Sequence, residues 1–458
     1  VWVVVREAGL SSFSLFLCFP CLCLVVFLSF LILFLSLALA LQTSYVQTKV
    51  VRYISEILSE KTSFDITIDH ISISWFDQIV IDGLKVVDPE QNSMGYIKEI
   101  TIDYNYSTMI SEDQIIFDDV TIDSTHILLA KIPLSDTSTI INMTLFSNNI
   151  AKLITPREGK AKEVIINDIA LINSYFTYYD YENDSIIVGL DYYHFTIGEI
   201  YSNVSDFKIV SDTVMFSVDD LAGKELKTQM VINNIKTEFL LNSNKLELSA
   251  LHAKIGESYI TDYLSFNYDS LADFSYFNEK IKLKARFSNS LIDTKNISTL
   301  FPFKNNIYKN INLTGDLEGE VSSLTLKDFT MLFDEKNSIQ GRLRLFGLPI
   351  IDETFIDLKL TRSFIQIEDI VHFFKPKTQD LLRQFEHASF TGNFLGFLND
   401  FVANGDFNTD LGKIKSNINL KLFDNNVPEY IGKLELTNFN LRKYSDRPFL
   451  DKVSLKSK

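Results

Sequence analysis

Six histidines, three cysteines and a few acidic pairs are the side chains of this 458-residue chain best able to do chemistry, and their spacing decides whether they can act together. His70, His126, His194, His252, His372 and His387 are scattered, and none belongs to an HExxH pattern that would set two imidazoles on one helix face for zinc. Cys18, Cys21 and Cys23 fall at a spacing that suggests a metal or redox pair. All three sit inside an uncharged apolar run, however, where a thiol serves as a small apolar residue. Asp118-Asp119 and Asp219-Asp220 are adjacent, so along a strand the two carboxylates point to opposite faces and share no proton. No GxSxG elbow, P-loop or dinucleotide fingerprint occurs. Triplets such as Asn142-Met143-Thr144 and Asn312-Leu313-Thr314 carry no functional weight in a chain rich in Asn, Ser and Thr. These observations point away from an enzyme and from any metal or cofactor site.

Composition moves the search from groups to surfaces. The chain holds 37 Phe and 19 Tyr but only 17 Gly and 9 Pro, which favours strands and argues against disorder. Its net charge of −16 excludes the concentrated basic surface that nucleic acid requires, and is expected to form a solubilising outer face.

The elements that must position any such surface begin with the uncharged stretch Phe13 to Leu41, interrupted by Pro20. Its remainder, Cys21 to Leu41, is 21 residues long. At about 1.5 Å per residue it would span roughly 31 Å of helix, close to the ~30 Å hydrocarbon core of a bilayer. A transmembrane signal anchor is therefore expected over 13–41, behind an uncertain start at 1–12. The alternative is a signal peptide cleaved near Ala38-Leu39-Ala40. Arg6 and Glu7 before the stretch, and Lys49 and Arg52 after it, leave the orientation open. The absence of cysteine after Cys23 is compatible with an extracytoplasmic compartment.

Over 42–60, Val46, Val50, Ile54, Ile57 and Leu58 recur at helical spacing opposite Gln47, Lys49, Arg52 and Glu56. This amphipathic helix is expected to plug the first end of the sheet that follows; lying on a membrane surface is the other reading. From Phe64 the period becomes two, with a slip at His70 that signals a bulge or turn, and Asp88-Pro89 marks another turn. Strands are expected at Ile79 to Val87, Ile97 to Tyr106 and Ile115 to Leu129. Tyr175 to Tyr181 is a dense aromatic patch, and Asp219 to Lys224 reads as a polar break.

Later strands alternate cleanly, with Ile281, Leu283 and Phe287 against lysines and Arg286, then Ile311, Leu313, Leu317 and Val321 against Asn, Thr, Asp and Glu. Leu343 with Leu345, then Ile356, Leu358 and Leu360, then Ile418, Leu420 and Leu422, repeat the pattern. Each such strand has one dry face and one wet face. Ile365 to His387 reads as two short helices divided by Pro376. The fold class expected for 61–458 is mainly β: an elongated antiparallel sheet curled over its apolar face into a groove, with a few short helices and no evident ending at Lys458.

Ile71-Ser72-Ile73-Ser74-Trp75-Phe76, Ile81-Asp82-Gly83-Leu84-Lys85-Val86-Val87-Asp88 and the strand Ile97 to Tyr104, placed after an anchor and an amphipathic helix, resemble the start of AsmA-like and TamB-like envelope proteins. Gly392-Asn393-Phe394, Phe397-Leu398-Asn399-Asp400-Phe401 and Asp410-Leu411-Gly412 resemble the TamB-like proteins of the Bacteroidetes type. The resemblance implies a single-pass inner-membrane anchor and a periplasmic β-groove that carries lipid acyl chains or assists outer-membrane protein assembly. The implied partners are membrane lipids, the inner membrane and an outer-membrane barrel protein reached through a C-terminal part beyond Lys458. No catalytic residues are implied. An anchored adhesin or interaction protein built from closed β-sandwiches is the alternative from another class.

Overall fold

The computed structural model describes residues 29, 31–33, 36, 42–74, 77–105, 107, 114–135, 138–154, 163–300, 310–333, 336–350, 353–371, 379–380, 382–421, 429–445 and 447–457. The expected anchor therefore falls almost wholly outside the described residues, as do Trp75, His372, Pro376 and Leu422. Among the described residues, no helix is long and apolar enough to cross a membrane.

The expectation of a mainly β chain with few helices holds. Helix α1 (Ser44–Thr62) is followed by β1 (Asp65–Thr67), β2 (His70–Ile73), β3 (Gln78–Val87), β4 (Ser93–Asp103), β5 (Gln114–Ser135) and β6 (Ser138–Ile141). Helix α2 (Asn142–Ile154) then leads to β7 (Glu163–Asp180), β8 (His194–Val210), β9 (Thr213–Glu225), β10 (Val231–Leu241), β11 (Lys245–Ile255) and β12 (Ser258–Asn267). The sheet continues with β13 (Lys282–Asp293), β14 (Asn310–Glu320), β15 (Ser323–Phe333), β16 (Asn337–Phe346) and β17 (Phe355–Gln366). It runs on through β18 (His387–Phe397), β19 (Asp400–Thr409), β20 (Gly412–Lys421), β21 (Glu429–Asn440) and β22 (Lys452–Ser457), so that 22 strands form one sheet.

From β7 to β22 every strand pairs antiparallel with the next, through tight turns in some places and longer connections in others. The expected all-antiparallel sheet needs one correction: β5 and β7 are parallel from Gln114/Glu163 to Lys131/Asp180. The excursion through β6 and α2 returns the chain to the level at which β5 began, and a parallel neighbour requires such a crossover. The slip at His70 is real, because β1 ends at Thr67 and β2 starts at His70, and both pair with β3. Asp88 accepts the Glu90 and Asn92 N–H groups at 3.0 and 2.9 Å, which fixes the turn at Pro89.

Three further expectations are corrected. Asp219 to Lys224 is no break, since β9 runs through it while Asp220 accepts the Asn203 N–H at 2.8 Å. Ile365 and Gln366 complete β17 and His387 begins β18, so the bounds of the two short helices expected there are drawn in: the described residues are helical at Ile367–Ile370 and again in a turn that the Arg383 N–H closes on the Gln379 carbonyl. The apolar stripe of α1 does not turn inward as a whole. Gln47 bonds both the N–H and the carbonyl of Ile73 (2.7 and 2.9 Å), Thr48 does the same for Ile71 (3.1 and 3.3 Å), and Ser59 for Ile66 (2.8 and 3.3 Å). Strands β1 and β2 would otherwise present unpaired edge groups, so the polar side of α1 faces them. The plug itself stands: Leu58 of α1 and Met143, Leu145 and Phe146 of α2 cover Phe64, Ile66 and Met94.

A second small plug forms around Tyr268, which is buried beside Phe274 and donates to the Asn242 carbonyl at 2.9 Å. Burial pushes its hydroxyl up to about 12. A raised folded-state value means that the stabilisation is complete below the ordinary tyrosine value of ~10 and is lost as pH rises through the folded one. Absorbance titration is expected to show one phenolate step near 12 that disappears in Tyr268→Phe. If every tyrosine ionises near the ordinary value, this packing is refuted.

Candidate functional site

The residues expected to line a groove come together only when strand register is added to alternation. Ile115 of β5 lies opposite Val164 of β7, which lies opposite Ile209 of β8; Val214, Leu241 and Leu246 of β9, β10 and β11 extend the same line. It continues through Phe266, Leu283, Gly319, Leu324 and Leu345 of β12 to β16. Ile356, Gly396, Phe401, Leu420 and Tyr430 of β17 to β21 complete it. No charged side chain interrupts a row that crosses sixteen strands. At ~4.8 Å between strands its path is roughly 70 Å long.

Two residues along each strand runs a second row. Phe117, Ile166 and Phe207 enter it from β5, β7 and β8, and the Phe207 ring stacks on Phe216 at 5.8 Å, which stacks in turn on Phe239 at 4.3 Å. Leu248, Leu264, Ala285, Leu317, Leu326 and Leu343 follow from β11 to β16. Leu358, Phe394, Ala403, Ile418 and Gly432 close it. Beyond it the face alternates large and absent side chains: Phe287 lies opposite Gly315, Phe329 opposite Gly341, and Leu360 opposite both Gly341 and Gly392. Leu313, Leu326, Phe329 and Leu360 form a buried cluster with Phe287, Leu317, Leu343 and Leu358 packed around it.

Most of the expected lining residues thus share one face. Leu283, Leu345, Ile356 and Leu420 stand in the first row, and Leu317, Leu343, Leu358 and Ile418 in the second. Phe287 and Leu360 stand in the third line, with Leu313 and Ile311 successively farther along β14. Two do not fit. Val321 is in the turn between β14 and β15, and Ile281 is completely buried directly after the short helix Phe277–Lys280. The sequence reading missed the members from β5 to β12, among them Phe207, Phe216, Phe239, Leu248 and Leu264. Leu246 with Leu248, and Leu264 with Phe266, carry the same alternation and would have found them.

A column of bulges bends these strands at one level. Register slips between Leu248 and Leu251, Phe287 and Ser290, and Leu326 and Phe329, where Ala250, Asn289 and Asp328 have φ of 48°, 57° and 42°. Bulges free backbone groups, and in two places a buried hydroxyl satisfies them: beside Ser290, and at the further slip between Leu360 and Ile365. The Thr261 N–H donates to Ser290 Oγ at 3.0 Å while Ser290 Oγ donates to the Thr261 carbonyl at 2.8 Å. Ser363 makes the same reciprocal pair with Phe390 at 2.8 and 2.7 Å.

The opposite face carries the charge. Arg286 reaches Asp262 at 2.7 Å, Arg344 pairs with Asp357, Lys327 with Glu318, and Lys421 reaches Asp400 at 3.1 Å. The bonds from Arg286 and Ser288 hold the Asp262 carboxyl below its usual range. Such exposed pairs add solubility more than stability. Among the described residues no three His, Cys, Asp or Glu side chains are grouped as metal ligands. Comparison with protein-family models, with curated proteins and with solved structures returns no match.

Proposed function

We propose that this protein is a membrane-anchored scaffold whose sheet curls into a groove and conducts lipid acyl chains along its apolar face. The observation that carries this reading is the pair of unbroken apolar rows crossing the strands. A core needs apolar side chains wherever they pack, but a track for a sliding hydrocarbon needs them in register with no charge in the path. Leu317, Leu343 and Leu358 are only partly buried, which weighs against the closed sandwiches of an adhesin, whose facing layers would dry them completely. The 21-residue apolar run at Cys21 to Leu41 supplies the anchor, and a periplasmic location of the sheet from an inner-membrane anchor follows the resemblance to AsmA-like and TamB-like proteins. A role in outer-membrane protein assembly with a barrel partner belongs to the same reading.

Mass spectrometry of organic extracts from the purified full chain tests it. Phospholipids are expected at several molecules per chain, because one acyl chain covers only part of a roughly 70 Å row. Lipid recovered at the level of an unrelated detergent-purified single-span protein overturns the reading.

A further inference from the structure

We infer that helix α1 is a membrane-surface element, seated on the bilayer by an apolar stripe that the protein itself leaves uncovered. Between 44 and 62, Leu58 packs against Phe64, Ile66 and Met94, while the residues that bond the sheet backbone are polar: Gln47, Thr48 and Ser59. They are there because the edge backbone of β1 and β2 needs hydrogen-bond partners, as described above. Most of the other apolar residues of the helix are displaced to a flank. Val50 is 50% exposed, Tyr53 65% and Ile54 48%, and Val46 and Ile57 lie on the same arc at helical spacing. A soluble surface helix reverses this arrangement.

What covers the stripe is indicated by what precedes it. Only Gln42 and Thr43 separate Ser44 from the 21-residue uncharged run that ends at Leu41, so the first turn of α1 is tethered within a few ångströms of wherever that run meets water. If the run crosses a bilayer, the stripe is at the lipid interface with no linker to carry it away. Tyr53 is suited to that depth, having an apolar ring and a polar tip, and Lys49 and Lys61, both exposed, are long enough to reach headgroup phosphates. The helix would then fix the β1–β2 edge of the sheet against the membrane. This rests on the membrane-anchored reading above.

The test uses the full chain with Cys18, Cys21 and Cys23 changed to Ala, carrying a single nitroxide at Val50→Cys, Ile54→Cys, Glu56→Cys or Leu31→Cys. Each is reconstituted into phosphatidylethanolamine/phosphatidylglycerol vesicles, and collision with oxygen is compared with collision with a water-soluble nickel chelate. Labels at 50 and 54 are expected to favour oxygen severalfold over the label at 56, at a depth of about 5–10 Å below the headgroups. Nickel-accessible labels at 50 and 54 with a lipid-exposed label at 31 overturn this inference and leave the anchor standing. Labels at 50 and 54 shielded from both reagents also overturn it, since the occupant is then protein. A water-exposed label at 31 overturns the anchor reading, and the inference falls with it.

Discussion

Leu317→Arg is expected to leave the protein folded and to strip most of its bound lipid. Leu317 stands in the second apolar row between Ala285 and Leu326 and is only partly buried. In a dry core the new guanidinium would be an unpaired buried charge, and a loss of several kcal/mol would follow. On an open curl the stem lies along the apolar wall and the charged head reaches water. Destabilisation should then stay near about 1 kcal/mol, the usual size for a point substitution. The charge still sits in the path of any acyl chain passing from β13 to β15, so extracted lipid should fall severalfold. Thermal melting by circular dichroism, run beside lipid extraction, separates the outcomes. An unfolded variant places Leu317 in a closed core, and a folded variant with undiminished lipid places the track elsewhere.

Gly341→Leu should have a larger effect on stability than any substitution on the charged face. A Cβ at this position would sit 2.1 Å from the Lys359 carbonyl oxygen and 3.1 Å from the Leu360 Cα, both backbone or backbone-borne atoms of β17. Nothing flexible is there to move, so β16 and β17 must separate beside the buried Phe329 and Leu360. Overpacking of this kind costs typically 1–3 kcal/mol, and a strand separation adds to it, so a loss of about 3 kcal/mol or more is expected. Gly95 of β4 provides the comparison, because a Cβ there would meet nothing within 4 Å. Gly95→Ala should change stability by no more than about 0.5 kcal/mol. Equal denaturation midpoints for the two variants would show that the close approach at Gly341 is not as described.

The same residues show why some of this was legible in the sequence and some was not. Strand β14 could be read directly, since Ile311, Leu313 and Leu317 alternate without a slip and the structure keeps them on one face. Alternation carries no information about where a strand stops, and so it runs on through Val321, which the structure places past the end of β14 in the turn. The bulges left a trace that was overlooked: Leu324 and Leu326 are in one phase, and Phe329, Met331 and Phe333 in the other. The parallel pairing of β5 with β7 left none, because it depends on how far the excursion through β6 and α2 returns the chain. The stripe of α1 was visible, but its direction was set by the needs of the neighbouring edge strands, which a helical period does not report. The apolar rows themselves are a property of register across strands distant in sequence, so single strands revealed their members and not their continuity.

Photocrosslinking in membranes addresses the track most directly. A benzophenone amino acid placed at Leu317, Leu343 or Leu358 faces along the second apolar row, while the same probe at Glu318, Arg344 or Asp357 faces the charged side of the same strands. After irradiation of cells, lipid adducts on the intact chain are expected at the first three positions and not at the last three. Adducts spread equally over both sets, or absent from the first, would contradict a lipid-conducting apolar face.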